Sequence, residues 1–162
     1  MIEEEKRSLT YIGKEKLFKL IFEKLTTRVV LSYDEKSYIL ATAILFLKHY
    51  EKDNRFKTYA DISYYIILKY SVFYEDYIPL YDFSVNFGFY PIVKSLTSNN
   101  LYKEEDFIDY IIDIRLDEFK KPNEYYETLE QNIQSQNFIE DNSAEKAYIA
   151  PTSFGKSSII VD

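Results

Sequence analysis

Only three glycines and four prolines interrupt this chain of 162 residues, and that scarcity narrows what it can fold into. An assembly of many short strands needs frequent turns, and turns draw on Gly and Pro for backbone angles other residues resist. The expectation is therefore a mainly helical chain. Lys14 to Leu31 places Leu17, Leu20, Ile21 and Leu25 at helical spacing. Ser32 opens a second helix, with Glu35 three residues on to complete a capping box, and that helix should run to about Glu51. Tyr59 to Tyr74 reads as a third, largely apolar helix. Between Tyr77 and Leu96, Pro79, Gly88 and Pro91 break the pattern into short pieces, and Ser98-Asn99-Asn100 reads as a loop. Glu104 to Lys121 is amphipathic and stops at Pro122, after which Asn123 is placed to cap a short helix through Asn137.

Composition supports a folded core. Apolar residues make up 46% and charged residues 29%, as in ordinary globular chains. No Cys is present, which removes disulfides and thiolate metal sites. The single histidine, His49, excludes His-rich metal centres and any scheme needing two imidazoles. Near the end of its helix it reads as a helix-terminus cation or a surface residue. With 20 Lys and Arg against 27 Asp and Glu, the net charge is −7, poorly suited to holding a phosphate backbone by charge alone. The N-terminus, Met1-Ile2-Glu3-Glu4-Glu5, is acidic where a secretory signal is basic. The longest apolar run, Tyr38 to Leu47, is about half a membrane span. A soluble, cytoplasmic protein is expected.

Three clusters invite chemical readings, and each has a plainer structural one. Twelve Tyr and Phe residues lie between Tyr59 and Tyr90, but Lys69 is the only base there against Asp61, Glu75, Asp76 and Asp82. Nucleic-acid stacking platforms pair their rings with a basic groove, so these rings are expected to form core or a protein-facing surface. Asp106, Asp109, Asp113 and Asp117 share one side of a helix, opposite Phe107, Ile108, Ile111 and Ile114. The acidic stripe is expected to be the solvated face and the apolar side the buried one. Lys14, Lys16, Lys19 and Lys24 are interrupted by Glu15 and Glu23 on an amphipathic helix, where packing is the expected role.

Beyond Asp141-Asn142-Ser143, read as a turn, the pattern changes. A short apolar run, Lys146-Ala147-Tyr148-Ile149-Ala150, leads into Pro151-Thr152-Ser153-Phe154-Gly155-Lys156-Ser157, and Ile159-Ile160-Val161 follow. Ala150 to Ser157 ends in Gly-Lys-Ser at phosphate-loop spacing, with Ala in the first glycine position. A strand must deliver such a loop, and a helix must begin at its end so that its amides face the anion. Gly155 would let the backbone approach the phosphates. Lys156 would reach the β- and γ-phosphates, and the Ser157 hydroxyl would join the shell of a nucleotide-bound Mg²⁺. The expected organisation is a helical domain over residues 1–122, followed over residues 123–162 by the first strand and phosphate-binding loop of an α/β domain.

Ala150-Pro151-Thr152-Ser153-Phe154-Gly155-Lys156-Ser157 resembles motif I of superfamily-two helicases, the DEAD/DEAH-box group, whose loop commonly reads Ala-x-Thr-Gly-x-Gly-Lys-Thr/Ser. The Ala-Pro-Thr-Ser-Phe-Gly-Lys-Ser form is similar to that of large bacterial helicase-like proteins, some implicated in phage defence. Ser153 stands where many members carry Gly. The resemblance covers about eight residues and the strand-like run before them. It implies a RecA-like ATP-binding domain, ATP and Mg²⁺ as cofactors, and DNA or RNA as a partner held mostly by helicase parts beyond this chain. DEAD-box members also carry a Gln upstream of the loop, within Thr-x-x-Gln, that reads adenine. Thr128-Leu129-Glu130-Gln131 matches that pattern, and a carboxamide can both donate to and accept from the adenine edge. Gln131 therefore has two readings, an adenine reader or a solvated helix face. Five residues follow Ser157, without the acidic, water-orienting and Arg groups that phosphoryl transfer needs. No catalytic residue is assigned within the chain, which by itself is expected not to turn over ATP. The alternative is a non-enzymatic all-helical interaction domain whose loop match is vestigial or accidental.

Overall fold

The computed structural model describes residues 15–103, 107–122 and 125–140. They form seven α-helices and two 3-10 turns, with one isolated antiparallel bridge, Lys120 to Tyr126, in place of any strand. The mainly helical expectation holds for these residues. The expected strand and loop over 146–161 lie outside them. The chain divides into two compact units between Leu80 and Tyr81.

The first unit contains α1 (Lys16–Thr26), α2 (Tyr33–Lys52), a 3-10 turn (Asn54–Phe56) and α3 (Lys57–Tyr74). α2 begins as its sequence requires. The Ser32 hydroxyl accepts from the Glu35 amide at 3.3 Å, and the Glu35 carboxylate accepts from the Ser32 amide at 2.9 Å. The same carboxylate receives the Lys24 ammonium from α1, which ties the two helices together. α2 and α3 form an antiparallel pair packed around Ile39, Ala43, Phe46, Ile66 and Ile67. Ser63 lies fully buried between them and donates to the carbonyls of Ala43 and Tyr59, so a small polar residue allows close approach without an unmet hydroxyl. α1 adds Phe18, Ile21 and Leu25 to this core. The Tyr74 hydroxyl accepts from the Leu31 amide at 2.8 Å, and the Lys36 ammonium sits 3.7 Å above the Tyr74 ring, locking the end of α3 to the start of α2.

α4 (Ile78–Asn86) carries the chain across the division. The second unit then contains α5 (Tyr90–Ser98), α6 (Phe107–Leu116), a 3-10 turn (Asp117–Phe119) and α7 (Leu129–Glu140). Gly88 and Pro91 separate α4 from α5, as expected; Gly88 takes the left-handed conformation, φ 70°, and Pro91 sits in the first turn of α5. Tyr81, Phe83, Tyr90, Val93, Leu96, Leu116 and Phe119 form this core. Tyr81 stacks on Tyr102 at 3.7 Å and Tyr90 leans on Phe119 at 4.2 Å. In both units many of the clustered rings pack on one another, although Tyr65 is exposed. α7 starts at Leu129, not near Asn123, which lies outside the described residues. It docks on the turn between α4 and α5, where the Leu129 amide donates to the Gly88 carbonyl at 2.9 Å. Pro122 thus falls inside the second unit, with helical packing on both sides of it.

Candidate functional site

The eight residues expected to form a phosphate loop, Ala150 to Ser157, lie outside the described residues. Gln131 lies within them. Its side-chain oxygen accepts from the Thr128 amide at 2.9 Å, and the Thr128 hydroxyl accepts from the Gln131 amide at 3.2 Å. Thr-x-x-Gln here forms a reciprocal cap at the start of α7. A partly buried capping residue is a third situation, distinct from an open adenine edge and from a freely solvated face.

Immediately before this cap sits the most deeply buried carboxylate among the described residues. Glu127 is 1% exposed. One of its oxygens accepts from the Ser135 hydroxyl at 3.0 Å, and the other accepts from the Asn132 amide at 3.2 Å, with the Lys121 ammonium at 3.6 Å. Its own amide donates to the Phe119 carbonyl. A buried charge needs this degree of compensation, and here it ties the residues beside the Lys120–Tyr126 bridge to α7. Sequence reading passed over Glu127; the signals were the neighbouring Thr-x-x-Gln cap and the Asn and Ser one and two turns further along.

An open groove of about 460 Å³ runs between α5 and the Lys120–Tyr126 bridge, lined by Pro91, Lys94, Ser95, Ser98, Lys120, Tyr125 and Tyr126. Lys94 bonds Asp113 at 2.9 Å, and that carboxylate pushes the ammonium above its ordinary lysine value. Lys94 also lies 5.8 Å from the Tyr126 ring centre. The Tyr125 hydroxyl is buried without a hydrogen-bond partner. Ammonium, hydroxyl and aromatic groups suit a small anion with a planar body, but Asp113 already offsets the charge of Lys94.

α6 departs most from expectation. Asp109 is 7% exposed and shares the buried side with Leu116, while Ile112 and Asp113 are half-buried at its edge. Phe107, Ile108, Tyr110, Ile111 and Ile114 are exposed, from 48% at Ile111 to 73% at Phe107. Of the expected acidic stripe, Asp117 is exposed as expected, Asp113 is half-buried against Lys94, Asp109 is turned inward against expectation, and Asp106 lies outside the described residues. Tyr102 and Lys94 supply a hydroxyl and an ammonium to the inward carboxylates, which removes the usual objection to burying that side.

The other candidates are simpler. His49 lies in the last turn of α2, in the helix-terminus position expected, with a buried Nδ1 that has no hydrogen-bond partner. Of the basic stretch, Lys24 is paired with Glu35, while Lys16 and Lys19 are exposed beside exposed Leu17 and Leu20. Among the described residues, no three His, Cys, Asp or Glu side chains converge as a metal ion would need. None of the described helices is long and apolar enough to cross a membrane. What these residues define is a mainly helical protein of two compact units, each closed by buried polar staples. Compared with protein-family models, curated proteins and solved structures, the chain matches none.

Proposed function

We propose that the chain contributes a helical accessory region and the ATP phosphate-binding loop of an ATP-dependent nucleic-acid helicase or translocase, with a role in bacterial phage defence as the biological setting. The observation that carries this reading is the sequence Ala150 to Ser157, with Gly155, Lys156 and Ser157 in phosphate-loop order and apolar runs on either side. Residues 123–162 would then open a RecA-like domain. Lys156 would neutralise the β- and γ-phosphates, and Ser157 would help hold Mg²⁺. Nucleic acid would be gripped by helicase parts other than these helices, consistent with the net charge of −7. If Gln131 reads adenine, it does so from a capping position, which would fix its side chain beforehand. The test is ATP hydrolysis by the full-length protein, with and without added DNA or RNA, before and after Lys156→Ala. Turnover is expected to be abolished when the cation on the β- and γ-phosphates is removed. Unchanged turnover in the variant overturns the loop assignment.

A second reading, a non-enzymatic helical interaction domain, is favoured by the outward apolar face of α6. It predicts no nucleotide-dependent activity and no effect of Lys156→Ala on any binding function.

A further inference from the structure

We draw no further inference here: the strongest candidate, the open groove between α5 and the Lys120–Tyr126 bridge, carries nothing, because Lys94 is already bonded to Asp113, the Tyr125 hydroxyl is buried away from solvent, and nothing in the structure shows what would occupy it.

Discussion

The Tyr102 hydroxyl reaches both oxygens of the Asp109 carboxylate, at 3.2 and 3.3 Å, and this contact holds α6 with an acidic side inward. Tyr102 is itself held by its stack on Tyr81. The carboxylate is thus fixed by a half-buried ring that stacks on the core residue Tyr81, and Ile108, Ile111 and Ile114 on the other side of the helix are left outward.

Removing one half of this pair should be costly. Tyr102→Phe and Asp109→Asn are each expected to destabilise the second unit by about 1–3 kcal/mol, the range for hydrogen bonds to charged groups and for buried polar atoms left unmet. Urea denaturation of both variants and of the double variant should give a coupling energy of about 1 kcal/mol. Additive effects would show that the two groups do not depend on each other.

Gly88 is required where it stands. Its φ of 70° is strained for any other residue, and an added Cβ would lie 2.3 Å from the Leu129 Cβ at the start of α7. Gly88→Ala is expected to cost about 2–4 kcal/mol, combining backbone strain with overpacking. Thermal melting is the measurement, and a wild-type midpoint would rule out this packing of α7.

Truncation should reveal where the second unit ends. A chain of residues 1–140 keeps the Glu127 staple and the Leu129 to Gly88 bond. A chain of residues 1–122 loses both, along with Ser135 and the cap of α7. The longer chain should melt cooperatively. In the shorter one, hydrogen exchange should show protection retained in α2 and α3 and lost in α5 and α6.

Glu35 should give the acid side of the stability profile a measurable slope. The Lys24 ammonium, and then the Ser32 amide, hold its carboxyl below the ordinary glutamate value. A group whose folded pKa is depressed contributes stability that is present above its unfolded pKa of about 4.3, and that contribution is lost as pH falls through the folded value. Glu35→Gln should therefore melt below wild type at neutral pH, and the two curves should converge under acid. A constant gap from neutral pH to about pH 2 would mean that its charge is not the stabilising feature.

Much of the helical architecture is legible in the residues because its causes are local. The Ser32–Glu35 box opens α2 within one residue of the expected place, and the helix runs to Lys52, close to the expected Glu51. Gly88 and Pro91 divide α4 from α5 through their own backbone limits. The start of α7 was also written locally, since Thr128-x-x-Gln131 is a capping pattern as well as an adenine-reading one. Residue spacing does not distinguish the two uses; a hydrogen-bond partner does.

By itself, then, the sequence determines most of the helices and their breaks, because periodicity and capping are properties of neighbours along the chain. Which face of α6 turns inward was decided only in three dimensions. Both faces of that helix are well formed, and hydrophobicity alone favours burying the isoleucines. Lys94 on α5, and Tyr102 in the segment between α5 and α6, instead bring partners to Asp113 and Asp109. Glu127 is buried for the same reason, since Ser135, Asn132 and Lys121 meet it in the fold. A carboxylate's place is set by the donors around it, and those donors are assembled by tertiary structure.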